Sequence, residues 1–353
     1  MSRPCIWLLS AYHADSHAAW ADWLMQTFTD FDWQLIELPG RHFRWRIRGN
    51  PLSWLHSLPA DTPDLLLATS MVDLATLKGL QPRLARVPAL YYFHENQFAY
   101  PRSDQQHSSI DPQMVQLYGA LCAERLLFNS AWNRDSFLGG VTSLLQRLPD
   151  ALPTGITEQL AAKATVLPLA IEPINAQARQ RDLIVWNHRW EYDKAPQLFA
   201  DAIAQLIARG TPFQLALLGA RHAKPHSALQ QIRTQAAEHI LFDGHLPAAQ
   251  YAEVLGRAQI AVSTAIHEFQ GLAMLEAVSA GAFPLVPDAL CYPEQYPTHC
   301  RYPAGDASAL AERLQQRLAD VAPAVPDVSA WESTQLQAPW HAALNGLLDS
   351  KHA

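Results

Sequence analysis

Apolar positions in this chain come in short bursts. CIWLLS (5–10), WQLIEL (33–38), DLLLATS (64–70), ALYYF (89–93), RLLF (125–128) and TVLPLA (165–170) are mostly apolar and brief. Runs of that length predict strands buried on both faces, as parallel sheets require. Amphipathic stretches separate them, for instance 16–28 and 112–124. The polar stretch IEPINAQARQRD (171–182) has no hydrophobic period and predicts a linker. The alternation then restarts with LIVWN (183–187), FQLALLG (213–219), ILFDG (240–244), QIAVST (259–264) and FPLVP (283–287). Helices are expected over 196–208, 226–237, 247–256, 271–280 and 307–318, and a Pro-rich hinge, APAVPDV (322–328), precedes a final helical stretch over 329–348. The expected fold class is α/β, with two doubly wound Rossmann-like domains, 1–170 and 183–328. Their strand carboxyl ends are expected to face each other across a cleft, where such sheets bind ligands.

Composition narrows the picture. The chain has 353 residues, 49% hydrophobic and 17% charged, which suits a soluble two-domain protein. A net charge of -7 argues against a broad basic surface, so a polyanionic partner would need a local patch. No apolar run reaches the ~18 residues needed to span a bilayer, and the first ten residues lack a small-residue cleavage site. No membrane partner is expected, and cytoplasmic residence follows. Cys5, Cys122, Cys291 and Cys300 form no CxxC pair and read as idle apolar fillers.

Three features in the second half carry chemistry. In STAIHEFQGLAMLEAVSAG (263–281), Glu268 and Glu276 flank Gly271 and Leu272, which open a helix. Free amides at a helix start favour an anion, and the glycine admits a ligand close to the backbone. Glu268 is expected in the loop and Glu276 about one and a half turns into the helix, so the two carboxylates could grip different hydroxyls. A loop acid beside an ordinary solvated helix start would give the same pattern. In WNHRWEYDKAP (186–196), Arg189 and Lys194 could converge on a pyrophosphate or could be surface cations. DGHLP (243–247), with Gly244 and His245, is a weaker strand-end turn into a helix.

Glu268 FQGLAML Glu276, with Arg189 and Lys194 after the first strand of the second half, resembles the retaining GT-B glycosyltransferases. The resemblance implies that Glu276 holds ribose hydroxyls and that Glu268 contacts the hydroxyls of the donor sugar. It places the amides of Gln270, Gly271 and Leu272 near sugar and phosphates, and makes Arg189 and Lys194 neutralise the leaving diphosphate. It also implies that the last segment, 329–353, returns as a helix to the first domain. The phrases LLSAYHADSHAAWADW (8–23), LPGRHFRWRIRG (38–49), LLLATSMVDLATLKGL (65–80), YYFHENQFAYP (91–101), LLFNSAWNRDSFL (126–138) and WNHRWEYDK (186–194) resemble the tRNA-queuosine mannosyltransferases. That family implies a GDP-mannose donor and, as acceptor, the cyclopentene-diol of queuosine in tRNA. In related retaining enzymes a loop His at the place of His94 contacts the donor sugar.

The first half adds acceptor-side candidates. His94, Glu95 and Asn96 follow a strand directly, and Ser10, His13 and His17 follow the first one. A His pair four apart could suggest a metal, but the chain has neither HExxH nor DxD, so no metal or other cofactor is expected. In Arg41–Arg48, basic Arg41, His42, Arg44, Arg46 and Arg48 alternate with Phe43, Trp45 and Ile47. Read as extended chain, one edge would be basic and the other apolar, a local nucleic-acid patch or simply solvated arginines. The expected activity is mannosyl transfer to tRNA queuosine. Three alternatives stand beside it: transfer from another nucleotide sugar or to a non-RNA acceptor, a nucleotide-sugar epimerase, and a non-catalytic tRNA-binding module.

Overall fold

A computed structural model describes residues 3–100, 109–221, 226–320 and 324–349. The chain forms two compact units, one from 1–169 with 336–353, the other from 170–335.

In the first unit, β1 (Cys5–His13), β2 (Asp32–Pro39), β3 (Leu65–Thr69), β4 (Ala89–Phe93), β5 (Arg125–Phe128) and β6 (Ala164–Val166) form one parallel sheet in the order β2-β1-β3-β4-β5-β6. The intervening helices are α1 (Asp15–Thr27), α2 (Phe43–Ser53), α3 (Leu74–Leu80), α4 (Asp111–Cys122), α5 (Ala131–Leu145) and α6 (Ile156–Ala162). All five residues of β3 and all five of β4 are buried, which explains their unalternated apolar sequence. The expected strands are all present, their ends shifted by up to four residues. Three helices, α3, α5 and α6, occupy stretches for which the sequence analysis gives no helix bounds.

The largest departure is the basic segment. Arg41–Arg48 is not extended: a turn with His42 in the left-handed region leads straight into α2. What decides this is packing. Ile47 is buried, and Asn50 donates its amide to the carbonyls of Arg46 (2.7 Å), Ile47 (3.3 Å) and Met71 (3.2 Å). Pro51 has no N–H for the Ile47 carbonyl, so the Asn50 amide serves it instead.

The second unit repeats the plan with β7 (Leu183–Trp186), β8 (Gln214–Leu217), β9 (Ile240–Asp243), β10 (Ile260–Val262), β11 (Phe283–Pro287) and β12 (Arg301–Tyr302). Its order is β12-β11-β10-β7-β8-β9, all parallel. The helices are α7 (Pro196–Ala208), α8 (Ser227–Gln235), α9 (Ala248–Arg257), α10 (Leu272–Ser279), α11 (Tyr292–Gln295) and α12 (Ala307–Ala319). The polar stretch 171–182 is attached to this unit: Gln177 and Gln180 donate backbone N–H groups to Gly256 and Arg257. Part of the Pro-rich hinge, residues 322 and 323, lies outside the described residues.

The last helix, α13 (Ser333–Leu348), packs into the first unit. Trp340 is fully buried there, donates its indole N–H to the Pro168 carbonyl (2.9 Å) and lies against Trp20 and Tyr92. Among the described residues, no helix is long and apolar enough to cross a membrane.

Candidate functional site

In the second sheet the chain runs outward from β7 to β8 and β9, then returns to the other side of β7 as β10. Connections leaving neighbouring strands in opposite directions open a crevice at their carboxyl ends. The loops after β7 and β10 therefore meet at this switch point, and they hold Lys194 and Glu268. A single turn of 3-10 helix (Tyr192–Lys194) ends at Ala195, which takes a left-handed conformation (φ 43°). That turn is stitched to the loop after β10. Ile266 and His267 donate N–H groups to the Asp193 carbonyl (2.9 and 3.2 Å), and Thr264 donates its hydroxyl to the Lys194 carbonyl (2.7 Å).

The Lys194 ammonium is thereby held between the Glu268 carboxylate (3.0 Å) and the His267 carbonyl (3.0 Å), with Asp193 at 3.3 Å. Burial disfavours its charge, but Glu268 and Asp193 outweigh that and hold the ammonium above its ordinary range. For Glu268, burial alone would raise the carboxyl; Lys194, His188 and the Gly271 N–H more than reverse this and bring it down to about 2. Glu268 is thus an ionised acceptor of hydrogen bonds, not a proton donor. His188 and His267 lose basicity to burial and to the Lys194 charge, each falling to about 4. Both are neutral at pH 7.

Gly271 sits at φ 68°, a conformation that favours glycine, and a Cβ there would meet the Tyr292 ring at 3.0 Å. It caps α10, whose first amides, Leu272 and Ala273, donate to no described group. The Gly271 amide is turned onto Glu268 instead, and Gln270 is buried, accepting from Gln295 through its carbonyl. Glu276 lies in the second turn of α10. Its carboxylate accepts from the Tyr251 hydroxyl (2.9 Å), which accepts from the Asn187 amide (2.9 Å). Asn187 also donates to the Ala273 carbonyl (2.8 Å). Burial raises the Glu276 carboxyl, and Tyr251 tempers the shift.

Not every candidate joins this cluster. Arg189 is half exposed and paired with Glu191 at 3.2 Å, although its charge is felt at Lys194. Gly244 and His245 follow β9, at the sheet edge with β8 between them and β7; His245 is exposed and hydrogen bonds to no described group.

The first unit carries its own polar group at the carboxyl ends of β1 and β4. His13 faces Glu37 (3.0 Å) with the buried Ser10 hydroxyl at 3.4 Å. His17 and His94 stack, centroids 3.9 Å apart, with Trp20 edge-on to His94. Burial, then a neighbouring histidine, keeps both rings neutral: His17 is lowered to about 4 by burial and His13, and His94 is lowered by burial and His17. Among the described residues, neither ring nitrogen of His94 has a partner, which leaves a buried donor and acceptor. The two histidines four apart thus diverge, one toward Glu37 and the other toward His94. Among the described residues, no group of three or more His, Cys, Asp or Glu is gathered as metal ligands would be.

Asn96 departs from the acceptor-side expectation. Its amide donates to Asn133 and Ser136 and its carbonyl accepts from the Phe98 and Ala99 N–H groups, so a fully buried side chain is used up holding its own loop. Glu95 accepts from Gln97 through its side chain and from Ser70 and Gln116 through its backbone. Arg41, His42 and Arg44 are exposed at the start of α2, with Arg46 half-buried behind them.

Two family models divide the chain at the same place as its two sheets. The description of one, tRNA-queuosine alpha-mannosyltransferase N-terminal, matches residues 5–171; that of the other, glycosyl transferases group 1, matches 181–320. A tRNA-queuosine alpha-mannosyltransferase from Drosophila melanogaster is 32% identical over 329 residues, covering 89% of this chain and 86% of its own. The chain belongs to the tRNA-queuosine alpha-mannosyltransferase family. It is a glycosyltransferase of the GT-B fold class. Sucrose-phosphate synthase from Thermosynechococcus elongatus (TM-score 0.71, 12% identity, 99% of this chain and 100% of that one) is similar in fold. So is Anabaena HepE crystallised with UDP and glucose (TM-score 0.69, 14% identity, 97% and 100%).

Within this family member the sequence pattern had pointed to the two glutamates, Lys194 and His94, but not to their supports. Asn187, His188 and Asp193 sat inside the WNHRWEYDK phrase, where a residue-by-residue inspection of the strand end could have found them. Tyr251 had no local signal. It lies on a different helix, α9, and only folding brings it to Glu276.

Proposed function

We propose that the enzyme transfers mannose from GDP-mannose to the cyclopentene-diol of queuosine in tRNA, with retention at the anomeric carbon. The observation that carries the reading is the Lys194–Glu268 pair at the switch point, beside the free amides of α10. A buried cation and helix-start amides suit a leaving diphosphate, and a permanently ionised carboxylate suits sugar hydroxyls. The Drosophila relative's name gives the mannosyl group, its alpha configuration and the tRNA nucleoside. GDP-mannose is itself α-linked, so an α product means retention. The UDP in HepE supports a nucleoside diphosphate at a site of this fold.

In this reading the bond from the anomeric carbon to the diphosphate oxygen breaks on the face where the acceptor hydroxyl attacks. The departing phosphate takes the acceptor proton, which is why Glu268 need not act as a base. Lys194 and Arg189 neutralise the diphosphate, in place of a metal ion, and Glu276, aligned by Tyr251, holds the ribose.

The test is to incubate the protein with GDP-mannose and queuosine-containing tRNA and digest the RNA for mass spectrometry. A hexose on the modified nucleoside is expected. Unmodified nucleoside, with the hexose of the donor epimerised or merely hydrolysed, would overturn the reading.

A further inference from the structure

The start of α2 lies against the turn that follows β1. Gly40, just before it, lies so close to the first loop that a Cβ there would come within 3.1 Å of the His13 carbonyl and 3.3 Å of Ala14. Phe43 packs edge-on to Tyr12, with centroids 6.2 Å apart. The segment is therefore contiguous with the turn between β1 and α1, at the carboxyl end of β1.

Its chemistry is specific. The helix and its leading turn, from Arg41 to Ser53, contain no acid, and α2 has none in its first turn. Arg48 is committed to Asp73 (2.7 Å), which also caps α3 by accepting from Thr76. Arg41, Arg44 and Arg46 pair with no carboxylate among the described residues. Beside them Trp45 is 53% exposed, unusual for the largest apolar side chain. Its ring is not loose. It lies flat on the backbone at Gly49, where a Cβ would stand 2.5 Å from Trp45 Cε2.

We infer that the exposed start of α2 is an RNA-docking surface, on which Trp45 stacks an unpaired base while Arg41 and Arg44 hold the flanking phosphates. This rests on the proposed tRNA acceptor. An aromatic platform between cations matches single-stranded RNA, whose bases can be splayed out and stacked. The helix replaces the basic edge of a strand with a better device: one buttressed ring, cations one residue before it and near its turn, and Gly49 as the floor. On a chain of net charge -7, a helix start whose own residues, 41–53, include no acid is also where a polyanion can settle.

The test uses the full chain and an in vitro transcribed tRNA, with binding read by fluorescence anisotropy at two salt concentrations. Trp45→Ala should weaken binding by roughly ten- to a hundredfold, and Trp45→Phe should recover most of it. Arg44→Glu should weaken binding and lower the salt dependence by about one unit of slope. Gly49→Ala is the more discriminating variant. It adds a good helix former but drives the Trp45 ring off its floor, so RNA affinity should fall while the melting temperature does not. GDP affinity should be unchanged in all four.

Wild-type RNA affinity in Trp45→Ala and Arg44→Glu would overturn the inference. So would binding to vesicles containing anionic lipid that depends on these residues while RNA binding does not. If RNA binding depends on α2 but no hexose reaches the tRNA, the proposed activity fails and the surface stands. If hexose transfer occurs and the variants transfer normally at subsaturating tRNA, the surface fails and the activity stands.

Discussion

Replacing Lys194 by Met removes a buried charge and little volume, and isolates what that charge does. In the native protein Glu268 is held at about 2 against an ordinary 4.5, although burial pushes the other way. Converted at ~1.4 kcal/mol per unit, the difference is about 3 kcal/mol of stability at neutral pH, an order of magnitude in line with breaking a buried ion pair. A depressed carboxyl contributes fully above its unfolded value, near 4.5, and the contribution disappears as pH falls toward 2. Without Lys194 the largest influence opposing the burial of Glu268 is gone and its carboxyl rises, so the variant is penalised most at neutral pH and relieved as the acid protonates. The gap between the two proteins should therefore be widest near pH 7 and narrow toward pH 4. For a unit the size of 170–335, about 3 kcal/mol corresponds to a melting shift of roughly 6–12 °C. Thermal melts at pH 7, 5 and 4, with Lys194→Arg keeping the charge, measure it. Equal melting of Lys194→Met and wild type at pH 7, or a gap that does not change with pH, would refute the reasoning. The same variant should lose turnover by ~10²-fold or more if Lys194 stabilises the leaving diphosphate.

The other expectations concern separate parts of the fold. Tyr251→Phe should weaken GDP binding several-fold and make that binding fail at a higher pH on acidification, since the hydroxyl keeps the Glu276 carboxyl from rising further; titration calorimetry from pH 5 to 8 reads both, and Glu276→Gln should abolish the pH effect. Trp340→Ala should cost the first unit ~3–5 kcal/mol, seen in its melting temperature, because a fully buried indole and its bond to Pro168 are lost together. His17 has its folded value lowered to about 4, so protonation favours the unfolded chain and stability should fall as pH drops from about 6.5 toward 4; His17→Gln should flatten that limb of a melting-versus-pH curve.

The positions of the two glutamates, Lys194 and the strands of both sheets could be read from the chain because their causes are local. A strand buried on both faces has to be short and apolar, and a helix-start ligand site has to put its glycine and acids at fixed spacing. Arg41–Arg48 misled for the converse reason. Its alternation of basic and apolar residues fits a strand as well as a helix, and the choice fell to the burial of Ile47 and to Asn50 reaching across to Met71, contacts made with residues far along the chain. Asn96 misled likewise: adjacency to His94 said nothing about Asn133 and Ser136, which absorb it.

By itself, the sequence determined which elements form and which residue types stand at strand ends. Period and spacing are properties of neighbouring residues. Tertiary structure alone decided the charge states and the alignment: Lys194 and Glu268 meet because β10 returns beside β7, and that contact, not either residue, brings the carboxyl to about 2. Tyr251 acquires its role the same way, 25 residues from the carboxylate it steadies. Electrostatic shifts depend on distance through space and on lost water, and neither is written in the order of residues.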